Sequence, residues 1–336
     1  MKIVGIGGGT GLPVLLKGLT EINDERNPID VTAIVTVSDS GGSTGALRRA
    51  FNMPAMGDIR KCLVSLAGED SLLTSLYQHR FQDPENFAGH SVGNLILTAL
   101  YQMSGNFTAA VRQASELLGL TGKVLPATEV PVTLCAMYDN GTIVQGEANV
   151  PKPGMRISRV WFEPEDPVPA PGVLEALESA EAVVIGPGSL YTSIIPNLLV
   201  GRIAAAVQAS PGIKIYICNL MTQAGETDGY SAADHMRILL EYLPGSAIDV
   251  CVLNSSHLGR AVADRYLKRG SELVAGTPED EDQIRRSGVV AIAAPLLRDG
   301  EVKARHDSVT LARLVVSLAR GFAGAHEIIC SQGNRR

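Results

Sequence analysis

The chain has 336 residues, which is longer than most single domains, and 45% of them are hydrophobic, which is ample for a packed core. Charged residues make up only 19% and the formal net charge is −6, which argues against nucleic acid or an anionic membrane surface as a partner. Five dispersed cysteines without a Cys-x-x-Cys pair favour neither a zinc cluster nor a disulfide framework, and they fit a reducing cytoplasm.

The first predicted strand, Ile3–Ile6, runs into glycines and is followed by the helix-like stretch Pro13–Leu19. A strand, a glycine-rich turn and a helix together predict an anion-binding turn, because the first helical N–H groups point at a bound phosphate. The spacing misses the dinucleotide fingerprint, since Thr10 stands where a third glycine or alanine is required, and no Gly-Lys-Ser/Thr of a P-loop follows. A tight turn without a ligand is the alternative interpretation.

Continuous apolar runs recur along the chain, and they predict the strands Ile3–Ile6, Val31–Val37, Ala182–Ile185, Ile213–Ile217, Ile248–Leu253 and Val289–Ile292. Runs without alternation indicate strands whose two sheet faces are both covered by helices. The predicted fold class is therefore α/β, a Rossmann-like doubly wound fold with a mainly parallel sheet. We expect no export signal and no membrane span, because the most apolar later stretch, residues 182–200, is interrupted by glycines and prolines.

Two regions depart from this alternation. Helical periodicity over about residues 56–118 predicts a helical insertion. Over about residues 124–162, two apolar runs flank Asp139-Asn140-Gly141, which is typical of a tight β-hairpin turn and predicts a β-hairpin lobe. We expect one α/β domain over residues 1–330, with a covering helix over 309–322 and a frayed tail at 331–336.

Glycines and hydroxyls follow the second predicted strand at Asp39-Ser-Gly-Gly-Ser-Thr-Gly45, where open α/β sheets bind their ligands. Asp39 is a candidate for a ribose hydroxyl, a magnesium ion or a base, with an Asx turn or helix N-cap as the structural alternative. Asp58 and Arg60 lie in the first turn of the next predicted helix. Because Arg60 is unfavourable near the positive end of a helix dipole, we expect it to face a phosphate, a carboxylate or an acidic partner.

The segment Gly89-His-Ser-Val-Gly-Asn-Leu95 enters another apolar helix, with His90 and Asn94 spaced to share a face and offer hydrogen bonds to a substrate. A second strand, glycine, hydroxyl and helix pattern occurs at residues 186–193, and it predicts a second phosphate-facing loop. The polar loop 218–230 carries Asn219 and Gln223, whose amides suit a base or sugar edge, although it also fits a surface loop before a helix. Near the last helix, Arg305 is placed to reach a phosphate.

The motifs Gly7–Leu12, Val35–Gly45, Gly57–Arg60, His79–Phe81, Gly89–Leu95, Gly186–Ser193, Cys218–Tyr230 and Arg305–Asp307 occur in an order that closely resembles the gluconeogenesis factor family. This family is similar to 2-phospho-L-lactate transferase and forms a branch of that superfamily. The resemblance implies a Rossmann-like fold, binding of UDP-sugars, notably UDP-N-acetylglucosamine, and a bacterial role in cell shape and gluconeogenic growth. The family usually carries two acids where this chain has Asp39 and Ser40. The loss of one carboxylate weakens the hypothesis of a metal-dependent transfer reaction.

The leading hypothesis is a cytoplasmic, UDP-sugar-binding regulatory protein that acts through a protein partner or a homo-oligomer contact. The predicted phosphate-binding residues are Gly7, Gly8, Gly9, Thr10, Gly11, Gly186, Gly188, Ser189 and Arg305. The predicted base-binding and sugar-binding residues are Asn94, Tyr191, Asn219, Met221, Thr222, Gln223 and Thr227.

The alternative is a transferase that moves a phospho-group onto an acceptor hydroxyl. In that hypothesis Asp39 and Asp58 hold Mg²⁺, His90 is the base and Arg60 stabilises the developing charge. An NAD-dependent oxidoreductase is a third hypothesis, and the imperfect fingerprint counts against it.

Overall fold

The computed structural model describes residues 1–67, 71–82, 89–245, 247–298 and 303–333, with only the backbone for 324–333. Of the tail predicted at 331–336, residues 331–333 instead continue the last helix, and residues 334–336 lie outside the described residues. The described part of the chain contains ten strands, in chain order β1 (Lys2–Gly7), β2 (Asp30–Val35), β3 (Lys123–Pro126), β4 (Thr133–Tyr138), β5 (Ile143–Gln145), β6 (Ile157–Glu163), β7 (Ala182–Ile185), β8 (Ile213–Ile217), β9 (Val250–Asn254) and β10 (Val290–Ala294).

Thirteen α-helices occur within the described ranges. They are α1 (Gly11–Ile22), α2 (Gly42–Phe51), α3 (Gly57–Ala67), α4 (Leu72–Gln78), α5 (Val92–Ser104), α6 (Phe107–Leu117), α7 (Val173–Glu178), α8 (Ile195–Leu198), α9 (Ile203–Ala209), α10 (Ala232–Glu241), α11 (Arg260–Leu267), α12 (Pro278–Arg286) and α13 (Ser308–Gly333).

The main sheet has seven strands in the order β10-β9-β8-β7-β1-β2-β3, and every neighbouring pair is parallel. All four residues of β7 are fully buried, as expected for a central strand covered on both faces. The strand order reverses between β1 and β7, so the loops after these two strands diverge to opposite sides and leave a crevice. The predicted doubly wound parallel fold is confirmed, and the six predicted strands match β1, β2, β7, β8, β9 and β10.

The helical insertion consists of α3 to α6, and it is confirmed. The lobe is a three-stranded antiparallel sheet, β5-β4-β6, rather than a single hairpin. Its predicted turn is present, because the Gly141 N–H donates to Tyr138 O at 2.8 Å and Gly141 has a φ of +81°. The sequence reading missed β6, and it also missed β3, which pairs with β2 at the edge of the main sheet.

The covering helix α13 packs against α1 at a position where only glycine fits. A Cβ atom at Gly18 would lie 2.5 Å from the carbonyl carbon of Ser308 and 3.0 Å from Ala312 Cβ. This close approach brings the chain just before α13, with Arg305 and His306, to the same end of the sheet as the loop after β1.

In the described ranges no single helix is long and apolar enough to cross a membrane. One pair, Leu190–Leu198 with Ile203–Ala209, bent by 77°, meets those criteria by length and composition only.

Candidate functional site

The glycine turn between β1 and α1 lies directly against the loop after β7. A Cβ atom at Gly11 would lie 2.5 Å from the carbonyl carbon of Pro187 and 2.8 Å from Gly188 N, so the approach requires glycine at this position. Gly9 adopts a φ of +63°, and Thr10 caps α1 without a side-chain hydrogen bond. The two glycine loops predicted separately therefore form one contiguous surface at the crevice between β1 and β7.

The loop after β8 closes the same surface from the other side. Gly188 N–H donates to Asn219 Oδ1 at 3.4 Å, and Gln223 Nε2 donates to Ser189 Oγ at 2.6 Å. A cavity of about 180 Å³ opens where these loops meet the segment before α13. Eight of the predicted phosphate-binding, base-binding and sugar-binding residues line it: Thr10, Gly11, Gly188, Ser189, Asn219, Met221, Gln223 and Arg305. We call this cavity the glycine-loop cavity.

Three predicted base-binding or sugar-binding residues instead serve the packing of these loops. Tyr191 is 1% exposed, and its hydroxyl is 2.9 Å from that of Tyr230. Thr227 Oγ1 accepts from Gln223 N at 2.9 Å, while Thr222 Oγ1 accepts from Glu272 N at 2.8 Å. All three lie outside the lining of the glycine-loop cavity. Their hydroxyls hold the shape of the loops that carry Ser189, Met221 and Gln223.

Two predicted acids, Asp58 and Asp39, lie beside the first glycine loop. Asp58 Oδ2 accepts from Gly9 N at 2.7 Å, and its Oδ1 is 2.8 Å from Lys61 Nζ. Asp39 Oδ1 accepts from Gly41 N at 2.8 Å, which is the Asx turn foreseen as its structural alternative. Burial raises the pKa of Asp39, with Asp58 adding to the shift, whereas Gly41 N opposes it.

The sequence reading missed two further acids, Glu147 near Asp39 and Asp58, and Glu226 near Glu147. Glu147 belongs to the lobe, and burial together with Asp39 and Asp58 raises its pKa to about 7. Glu226 is 5% exposed, accepts from Thr192 Oγ1 at 3.3 Å, and burial raises its pKa to about 7. They were missed because each is remote in sequence from the acids it faces.

Asp39 and Asp58 are the carboxylates predicted to hold a magnesium ion. In the described part of the chain no three His, Cys, Asp or Glu side chains are grouped so that they could hold a metal. Mg²⁺ is commonly held by one or two carboxylates together with substrate phosphates. Asp39 and Asp58 meet that smaller requirement, and Asp58 already accepts hydrogen bonds from a backbone amide and an ammonium group.

A hydrogen-bonded chain joins the predicted residues of the helical insertion. His90 Nδ1 lies 2.9 Å from Ser43 Oγ, which accepts from Asn94 Nδ2 at 3.2 Å. Asn94 Oδ1 in turn accepts from Arg60 Nε at 3.1 Å, and Tyr77 O accepts from the Arg60 guanidinium at 3.3 Å. The structure therefore brings together His90, Asn94 and Arg60, but Asn94 lies outside the glycine-loop cavity.

The comparisons with known proteins agree with this architecture. A family model described as 2-phospho-L-lactate transferase CofD matches residues 3–297. A relative from Bacillus subtilis (strain 168), named Gluconeogenesis factor, is 41% identical over 321 residues, which covers 95% of this chain and 98% of that protein. A relative of the same name from Listeria innocua is 41% identical, covering 94% and 95%. The crystal structure of a UPF0052 family protein from Bacillus halodurans is similar to this chain, with a TM-score of 0.88, 39% identity, and coverage of 94% of this chain and 99% of that one.

Proposed function

The chain belongs to the 2-phospho-L-lactate transferase CofD family, and from this premise we propose that it is a cytoplasmic regulatory protein of the gluconeogenesis factor type that binds a UDP-sugar, UDP-N-acetylglucosamine. The observation that carries the proposal is the meeting of three loops and Arg305 at the glycine-loop cavity. Backbone amides, hydroxyls and amide side chains are the groups that recognise a diphosphate and a base or sugar edge.

Each part of the ligand has a proposed place in this arrangement. The diphosphate lies against the turn Gly7–Gly11 and the loop Gly186–Ser189, near the N-terminus of α1 and Arg305. Asn219 and Gln223 contact the base or the sugar. Since about 180 Å³ is smaller than sites for drug-sized ligands, the ligand extends beyond the cavity along the open crevice.

The lobe supplies a route from binding to regulation. Ala148 N donates to Ser40 Oγ at 3.0 Å, and Lys152 N donates to Gly225 O at 3.0 Å. The lobe thus touches both the loop that carries Asp39 and the loop that carries Asn219. A ligand that orders these loops would favour one lobe arrangement, which a protein partner or a second copy of the chain would recognise. Control of cell shape and gluconeogenic growth is the proposed outcome.

Titration calorimetry with the purified full chain tests the binding proposal. We expect saturable heat with UDP-N-acetylglucosamine and none with NAD. Arg305→Gln removes a charged donor from the cavity and is expected to weaken binding about tenfold or more. Arg313→Gln is the matched control, because Arg313 lies in α13 outside the glycine-loop cavity. Absence of heat at millimolar UDP-N-acetylglucosamine would refute the proposal.

A second candidate function is transfer of a phospho-group, favoured by Asp39 and Asp58 beside the first glycine loop. These carboxylates would hold Mg²⁺, which when bound would neutralise substrate phosphate charge. His90 would accept the proton of the acceptor hydroxyl, and Arg60 would stabilise the developing charge. Incubation with Mg²⁺ and candidate nucleotide donors should release nucleotide, and Asp58→Asn should abolish release while binding persists. No release by the unmodified chain would eliminate this candidate.

A further inference from the structure

A larger cavity, of about 700 Å³, lies beside the glycine-loop cavity, between α1, α3 and the start of α13. Among the described residues that line it, five are basic and Glu21 is the one acidic residue. We call this cavity the basic groove, defined by its basic residues Lys17, Arg60, Lys61, Arg298 and Arg305. Such a concentration of positive charge is unusual in a chain whose net charge is −6, and it favours an anionic occupant.

Arg60 gives the strongest reason to expect an anion in the groove. It is 6% exposed, and in the described ranges no carboxylate lies within 4 Å of its guanidinium. Its hydrogen bonds go to neutral groups, Asn94 Oδ1 and Tyr77 O. Burial and the nearby Arg80 lower the pKa of Arg60 to about 10, Asp58 opposes that shift from beyond ion-pair distance, and Arg60 stays cationic at pH 7. A buried cation without an anionic partner is costly, and a bound anion would offset that cost.

Other basic residues of the groove differ from Arg60 in this respect. Lys17 lies 3.8 Å from Glu21, and Lys61 lies 2.8 Å from Asp58. These pairs partly balance the groove's charge at its edges. A negatively charged ligand is therefore expected to gain the most interaction free energy at Arg60.

The wall between the two cavities carries a second pointer to a ligand. Thr10, Val14, Arg305 and His306 line both cavities. His306 is 7% exposed, and its Nε2 is buried without a hydrogen-bond partner in the described part of the chain. An unsatisfied buried nitrogen is rare in folded proteins, and at His306 it lies within the wall that both cavities share.

We propose that the basic groove is a second ligand site, which binds a small phosphate-bearing anion through Arg60 beside the glycine-loop cavity. The anion is distinct from the nucleotide sugar of the proposed function. The inference rests on the charge and burial of groove residues and does not require that nucleotide identity. Occupation of both cavities would let the chain respond to two metabolites across the shared wall of Arg305 and His306.

Inorganic pyrophosphate is the probe, and its binding is measured by titration calorimetry at constant ionic strength. It is titrated into the full chain without other ligand and into the full chain saturated with UDP-N-acetylglucosamine. We expect pyrophosphate to bind the saturated chain with one site. Arg60→Met keeps much of the side-chain volume and removes the charge, and it should raise the pyrophosphate Kd at least about tenfold. Lys17→Gln changes only the groove edge and should raise that Kd about threefold.

Arg313→Gln is again the control, because Arg313 lines a different cavity, and its pyrophosphate Kd should stay within about twofold. Thermal unfolding of each variant checks that the fold persists, and Lys17→Gln keeps the test decisive if Arg60→Met does not fold. Failure of pyrophosphate to bind the chain saturated with UDP-N-acetylglucosamine overturns the second site, as does an unchanged Kd in the groove variants. If UDP-N-acetylglucosamine itself does not bind, the proposed function fails, while loss of pyrophosphate binding in the groove variants still supports the groove.

Discussion

The approach of the two glycine loops makes Gly11→Ala the most informative single substitution. Gly11 is the first residue of α1, where the higher helix propensity of Ala adds little, so the contact with the second loop decides the outcome. The new Cβ would lie 2.5 Å from the Pro187 carbonyl carbon, whereas carbon atoms pack best at about 3.5–4.0 Å. The loops must therefore separate by about 1 Å, and overpacking of this kind costs about 1–3 kcal/mol. We expect a net loss of about 1–2 kcal/mol in the free energy of unfolding.

Gly321→Ala provides the matched control. Gly321 lies within α13, and nothing lies within 4 Å of a Cβ placed there, so the same substitution should stabilise the chain by about 0.5–1 kcal/mol. Urea denaturation gives both free energies of unfolding. Calorimetry should show the Kd for UDP-N-acetylglucosamine raised about tenfold by Gly11→Ala and unchanged by Gly321→Ala. If Gly11→Ala has the same free energy of unfolding and the same Kd for UDP-N-acetylglucosamine as the unsubstituted chain, the close approach of the two loops has neither expected effect.

Three further predictions concern buried polar groups. Glu226 has its pKa raised from 4.5 to about 7, so the folded chain holds a proton that the unfolded chain releases, and stability should fall as pH rises from about 5 to 8. Urea denaturation at both pH values should show Glu226→Gln more stable by on the order of 2 kcal/mol at pH 8 and little changed at pH 5, and an unaltered pH slope would contradict this. Asn94→Ala removes the side chain that accepts from Arg60 Nε, and it should cost about 2–3 kcal/mol in urea denaturation, whereas a loss below 0.5 kcal/mol would show that the bond contributes little. Tyr242→Phe leaves the lobe's Val160 N–H without its 3.0 Å acceptor, and it should cost about 1–2 kcal/mol and speed amide exchange at Val160, while unchanged exchange would argue against this contact.

Local sequence patterns were enough to predict the parallel sheet. Hydrophobic runs such as the one in β7 and glycine turns such as the one before α1 consist of consecutive residues, so they can be recognised from the sequence alone. The short edge strand β3 and the outer strand β6 of the lobe were missed. Residues of β6 alternate between exposed and buried with an irregular pattern, and the four residues of β3 are too few to show a period.

The sequence by itself determined which loops carry the glycines, hydroxyls and amides, because those residue types follow the strands directly. Only the tertiary structure decided which of these groups meet. The pairing of Asp58 with Gly9 spans 49 positions, and the contact of the Pro187 loop with Gly11 depends on β1 and β7 lying side by side. The basic groove likewise exists only because α1, α3 and the chain before α13 converge. Such contacts follow from sheet order and helix packing, which involve residues remote in sequence and therefore leave no local pattern to read.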